Sequence, residues 1–325
     1  MAANPNSAPE SFHLYHGEAH ILSGELHRPI KHKIERYGNI VLQHSRRETH
    51  LTERVGETSI EGLISFKSGH TRVIGSQIKA KKDIFGNDHA GWFTLATAAF
   101  DGFNVLDILT ADRVVAQIST EHGYNAPPAL PEHVPSVSFL GTRFENLRIG
   151  GYPVEVELDL GICGSKPKGD RPYLEDKDFL DRVERQLDGI AGTKGLPKDL
   201  VSEYDSKIKD IGKLRKGANG KGSSNGNSKV QCSLVKSIGP IPIPGVRTFG
   251  NVIFIPNFGT VALGEVEVGV NPAEGGPFVA TQKGSSSASN HSNYFMLHMF
   301  DMQLGCPVGG SGKGGGVGSN GTTQP

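Results

Sequence analysis

Histidine is the side chain with the most chemistry in this sequence. Nine of the 13 histidines lie before residue 90: His13, His16, His20, His27, His32, His44, His50, His70 and His89. Within FHLYHGEAH, extended backbone puts His16, Glu18 and His20 on one face. Two imidazoles and a carboxylate form a ligand set for Zn or Fe(II), with positions left for water. Spacing argues against it. Successive same-face residues of a strand stand about 7 Å apart, and a shared ion bonds each ligand at about 2.1 Å. A bulge or a ligand from a neighbouring strand is therefore required. No HExxH or CxxC accompanies the set. The bland alternative is a row of core or solvated histidines.

The remaining candidates are sparser. Trp92, with Phe93, Phe100 and Phe103 nearby, suits a carbohydrate or apolar ligand, although core packing is the usual fate of such rings. Cys163 ends one strand and Cys232 opens another. A disulfide between them closes a loop of about 70 residues, a constraint worth about 4 kcal/mol in an oxidising compartment. In a reducing one they stay two buried thiols. The acidic rows Glu155/Glu157/Asp159 and Glu265/Glu267 are candidate acid/base pairs or Ca²⁺ ligands. More simply, each row is the wet face of a half-buried strand. Two glycine-lysine stretches, 217–223 and 309–316, do not match GxxxxGK[ST]. No GxSxG elbow is present.

These residues need elements to hold them. From about 11 to 165 the apolar pattern has period two, clearest where Val154, Val156, Leu158 and Leu160 alternate with three acids. Gly150-Gly151 before that run predicts a tight hairpin, because two successive positive φ angles cost glycine nothing. Residues 125–135 read as an exposed Pro-rich loop. Residues 172–216 change to helical spacing: Phe179, Leu180, Val183, Leu187, Ile190, then Leu200, Val201, Tyr204, Ile208, Ile211, Leu214. Gly192 to Pro197 divide the two helices. This hairpin is expected to project from the body on a flexible stem, with 217–229 as a Gly/Ser/Asn linker. Residues 230–306 return to period two. Ile238 to Gly245, with three prolines, belongs at an edge or in a connection. The closing strand 293–306 has large residues on both faces and predicts a central strand or an interface. Residues 1–10 are expected to be disordered. So is the tail 307–325, with eight glycines in 19 residues and no core material.

The fold class expected is mainly β, an antiparallel sandwich or barrel-like body formed by 11–165 and 230–306, with an inserted helical hairpin. Lys plus Arg equal Asp plus Glu at 34 each, so the long-range field of a general nucleic-acid binder is missing. No run of 18 apolar residues exists, which argues against a membrane helix. The first residues carry no signal-peptide pattern. Cytoplasmic location is the default expectation, with signal-independent export as the alternative.

The blocks FHLYHGEAH, FLGTRFENLRIGGYPVEVELDLGICG and FGTVALGEVEVG resemble a group of uncharacterised bacterial proteins. A fainter similarity joins TADRV, FENLRIGGYPVEV, FGTVALGEVEV and LGC to secreted choice-of-anchor P proteins, which are β-rich. This chain differs from those in its helical insertion and in lacking a leader and an anchor segment. The resemblance implies a β body and supplies no catalytic residue. The function expected is structural or interaction-based: a β-rich subunit that self-associates or binds a protein partner, with no nucleic acid, no membrane and no resident cofactor. The first alternative is a protein or enzyme using a divalent metal on His16, Glu18 and His20. The second is a ligand or carbohydrate module at Trp92.

Overall fold

Alternating apolar and polar residues become strands that fold into two facing antiparallel sheets. The computed structural model describes residues 12–28, 31–82, 88–124, 134–169, 171–218, 229–271, 292–305, 309–319 and 322–324. Strands β1 (Phe12–Leu26), β2 (His32–Tyr37) and β3 (Ile40–Ser45) start the first sheet. The chain then crosses over and builds the whole second sheet: β4 (Thr49–Val55), β5 (Thr58–Ile60), β6 (Ile64–Phe66), β7 (Ser68–Lys82), β8 (Asp88–Val105), β9 (Leu109–Tyr124), β10 (Ser136–Ser138), β11 (Arg143–Glu145), β12 (Arg148–Ile149) and β13 (Tyr152–Pro153). The turn between β12 and β13 uses Gly150 and Gly151 at φ +53° and +82°, as the Gly-Gly pair predicts.

β14 (Val156–Leu158) pairs with β16 (Val235–Ile238) in a separate two-stranded ribbon. These strands lie on either side of the helical insertion, so the ribbon closes its neck. β15 (Lys229–Ser233), β17 (Arg247–Phe249), β18 (Val252–Ile255), β19 (Gly259–Asn271), β20 (Ser292–Leu304), β21 (Gly310–Ser319) and β22 (Thr322–Gln324) complete the first sheet. Its order is β17-β18-β19-β20-β21-β1-β2, with β15 also on β19 and both β3 and β22 also on β1. Neither sheet closes on itself, so the body is a sandwich and not a barrel. Aromatic rings from both sheets meet between them: Phe103 of β8 stacks on Phe300 of β20 at 4.9 Å. No helix among the described residues is long and apolar enough to cross a membrane.

Two expectations are corrected. The glycine-rich tail is not outside the fold, because β21 runs antiparallel to β1 on one side and to β20 on the other. Its glycines contribute room instead of side chains. A Cβ at Gly314 or Gly315 would press on Phe300 or Met299, and one at Gly316 would overlap the His20 ring. β20 is therefore central, which accounts for its two apolar faces.

The helices do not project on a flexible stem either. α1 (Lys177–Ala191) is capped by Asp176, whose side chain accepts from Phe179 N at 2.7 Å, and it buries Phe179, Leu180, Val183, Leu187 and Ile190. α2 (Lys198–Ala218) begins just after Pro197. In the turn between them it is Gly195, not Gly192, that takes positive φ. Polar side chains fasten the pair to the body. Arg182 donates to the carbonyls of Ile162 and Cys163 at 3.0 and 2.7 Å. Gln186 bonds both the N–H and the C=O of Ser233, each at 2.8 Å, and Tyr204 Oη donates to Asn251 at 3.3 Å. Residues 1–10, the loop 125–133, the linker core 219–228 and Cys306 lie outside the described residues.

Candidate functional site

β1 carries histidines on both faces. On the face away from the second sheet, His16, Glu18 and His20 occupy successive positions, as extended backbone requires. Among the described residues no three His, Cys, Asp or Glu side chains stand close enough together to hold a metal between them. The spacing along a single strand is the physical reason for this row.

The closer partner of His20 lies across the sheet. His20 is opposite Gly316 on β21, Gly316 is opposite His298 on β20, and His298 is opposite Glu265 on β19. With no side chain on Gly316, the two imidazoles approach to 6.1 Å between ring centroids, edge toward face. His20 is 2% exposed, and its Nδ1 has no hydrogen-bond partner. Its Nε2 is 3.3 Å from Ser23 Oγ. His298 is half-buried and forms the more open end of the row.

Charges around the row are paired. Arg36 meets Glu18 at 3.3 Å and Lys313 meets Asp301 at 3.3 Å. Burial, assisted by Arg36 and Lys313, holds the His20 imidazole down at about 4. Burial, then Lys313, His20 and Arg36, hold His298 at about 3. Both rings are neutral at neutral pH, so each keeps a nitrogen lone pair. Burial raises the Glu265 carboxyl above its usual range, and Lys207 of α2 works against that rise.

On the inner face of the first sheet, His13 sits between the sheets. It stacks on Trp92 at 5.5 Å and 9°, lies 4.7 Å from the His122 ring, and meets Tyr15 edge-on at 4.8 Å. Burial alone holds His13 at about 3, and neither of its ring nitrogens has a hydrogen-bond partner. Trp92 is 8% exposed. Its indole faces this ring cluster and offers solvent no platform on which a sugar could stack.

Cys163 and Cys232 are both free and buried. The expected juxtaposition is present, since each cysteine sits at the neck and a charge on Cys232 would raise the titration of Cys163. No bond joins them. Burial pushes Cys163 well above the usual thiol range and Cys232 up to about 12, so neither is a ready nucleophile. The two acidic rows lie in different sheets. Glu157 pairs with Lys236 at 2.6 Å. Glu267 accepts from Lys229 and from the Tyr294 hydroxyl, both at 2.9 Å.

His298 and Gly316 did not stand out in the sequence. A lone histidine in an apolar closing strand reads as core, and a glycine tail reads as linker. Only the register across β1, β21 and β20 brings them to His20.

These features define an antiparallel β sandwich with a docked helical hairpin and a cross-strand imidazole pair. The chain belongs to the family described as a domain of unknown function, DUF8256, whose model matches residues 13–269. That match includes His20 and Glu265 and ends before β20 and β21. No curated protein and no solved structure matches the chain.

Proposed function

We propose that the protein is a structural subunit that self-associates by extending its second sheet across edge strand β4. The observation that carries this reading is the length of that edge. β4 has seven residues and pairs with β7 on one side only among the described residues. The opposite border of the same sheet ends in β13, which has two residues. Long unpaired edges are templates for another strand. Next along the chain, β3 exposes Val41 at 40%. A two-fold antiparallel pairing centred on Thr52 keeps both core faces on the same side, because residues of equal parity then oppose each other. It places Thr52 against its own copy, a favourable cross-strand pair. Exposed Glu53 and Arg54 limit indiscriminate pairing along the edge.

The zero net charge supports a function without nucleic acid. The default compartment under this reading is the cytoplasm, and the resemblance to bacterial chains supports a bacterial source. Light scattering across a concentration series tests the association. A concentration-dependent dimer that V41K/T52K shifts to monomer supports it, since lysine on an edge blocks strand addition. A strict monomer at about 100 μM, far above the dissociation constant of an interface of standard size, rejects it.

A further inference from the structure

Beyond association, the face of the second sheet turned away from the first gathers more positive charge than its own acids neutralise. Val73 and Thr94 face β1, because a Cβ at Gly17 would touch both. Alternation along β7 and β8 therefore turns His70, Arg72, Thr97 and Ala99 outward. Register adds Arg54 of β4 opposite His70, and Val115 of β9 opposite Ala99, with Arg113 two residues before Val115. We propose that Arg54, His70, Arg72 and Arg113 bind one tetrahedral oxyanion group, a sulfate or a phosphate, above Ala99.

The first support is placement. Directly opposite residues stand about 5 Å apart, and same-face neighbours along one strand about 7 Å. Arg54 and Arg72 thus flank His70 from two sides. Arg113 reaches the same spot across Ala99, whose methyl group leaves its path open. Ala99 is 2% exposed, so the longer side chains around it close over it. Of the charges acting on the His70 ring, that of Arg113 is the strongest.

The second support is charge balance. Asp101 is the one acid among the charges acting on His70. It already accepts from Ser68 Oγ at 3.0 Å and pairs with Arg113 at 3.5 Å. Among the described residues neither Arg54 nor Arg72 meets a carboxylate. Arg72 Nε donates to His50 Nε2 at 3.0 Å, which steadies its guanidinium and leaves both Nη groups for a ligand. The Nε of Arg113 is buried without a hydrogen-bond partner, a donor that an adjacent oxyanion would satisfy. Guanidinium forks match the oxygens of such a group.

The third support is linkage to a proton. Burial first, then Arg113, Arg54 and Arg72, hold His70 below the usual imidazole range, and Asp101 alone works against them. An anion among the three guanidiniums offsets their charge and favours the imidazolium, which adds a further donor. Beside the charged group, Ile74 and Leu95 stand opposite each other on the same face, both half-buried. They form an apolar seat for the organic part of an ester.

The test uses the full chain at constant ionic strength in chloride, titrated by calorimetry with inorganic sulfate, which keeps its charge across the range in which histidine titrates. One equivalent is expected to bind, with Kd on the order of 1 mM. Arg54→Gln and Arg72→Gln are each expected to weaken binding by about threefold or more, and the double variant by about tenfold or more. Lys33→Gln, on β2 of the other sheet, leaves it unchanged. Both arginines are exposed, so their removal spares the core, and circular dichroism checks each variant. NMR of the His70 ring supplies the second readout: sulfate is expected to raise its titration midpoint by about half a pH unit or more relative to chloride. Phenyl sulfate separates the two sources of the group. Tighter binding than inorganic sulfate, lost in Leu95→Ser, assigns an ester seated on Ile74 and Leu95, and equal binding assigns the free ion. Absence of saturable binding, equal affinity in the double arginine variant, loss in Lys33→Gln, or an unmoved His70 midpoint overturns the proposal. The site uses side chains of one chain and association uses the β4 main chain, so light scattering at the titration concentration reads the two separately.

Discussion

Strand β21 and the helical hairpin are opposites in composition and in position. The hairpin is rich in large side chains, and α1 alone buries Phe179, Leu180, Val183, Leu187 and Ile190. It lies at the border of the body and stabilises it through its own apolar surface. β21 has one large apolar side chain, Val317, yet it occupies the middle of the first sheet between β1 and β20. Its contribution is backbone. Nine register pairs join it to β1 and nine to β20, and neighbouring side chains lie over its glycines. The difference teaches that core material and core position are separate properties. A segment without side chains is central when its neighbours need the space.

The strongest way to break this comparison is to delete residues 309–325. The ladder between β1 and β20 then has no middle strand, and backbone groups buried on both sides lose their partners. The expected outcome is loss of the cooperative thermal transition, followed by circular dichroism. A truncated chain that melts as sharply as the full one would show that β21 is dispensable and would reverse the ranking of the two regions.

Acid separates the regions next. Three histidines whose titration is held down, the buried His13 and His20 and the half-buried His298, belong to the first sheet, two of them directly across from β21. Residues 177–218 contain no histidine. Burial holds the three at about 3, 4 and 3, below the unfolded value of about 6.5. The unfolded chain therefore binds more protons between these limits. The stability is complete above about pH 6.5 and is lost as pH falls toward the folded values. By pH 4 the loss is on the order of 3 kcal/mol for each of His13 and His298. Denaturant melts from pH 7.5 to 4 check the sign. Hydrogen exchange should lose protection first in β1, β20 and β21. Stability that stays flat or rises on acidification would mean that these rings are not neutral in the folded state.

Some of this was visible beforehand. Period-two runs mark the long strands, the Gly150-Gly151 pair marks a hairpin turn, and the spacing of Phe179, Val183, Leu187 and Ile190 marks α1. Each is a local signal, complete within a few residues. The docking of α1 was not visible, because Arg182 and Gln186 look like ordinary exposed positions until their carbonyl partners arrive from 162, 163 and 233. Core packing is the usual fate of a ring such as Trp92, but its stacking partner His13 comes from a strand about 80 residues away and no local pattern names it. The cross-strand row has the same origin. Register between strands nearly 300 residues apart is a tertiary property, and no spacing within FHLYHGEAH contains it.

The finest test applies one substitution in both regions and expects opposite signs. Gly316→Ala puts a methyl group into the His20 ring, and overpacking of this kind costs about 1–3 kcal/mol. Gly212 lies in the interior of α2, and a Cβ there meets nothing within 4 Å. Its helical backbone suits alanine, so Gly212→Ala should stabilise by about 0.5–1 kcal/mol through lower entropy of the unfolded chain. Urea melts at constant m value resolve both changes. If Gly316→Ala also stabilised the protein, β21 would be glycine-rich for some reason other than room, and the approach of His20 to His298 would no longer depend on the position between them.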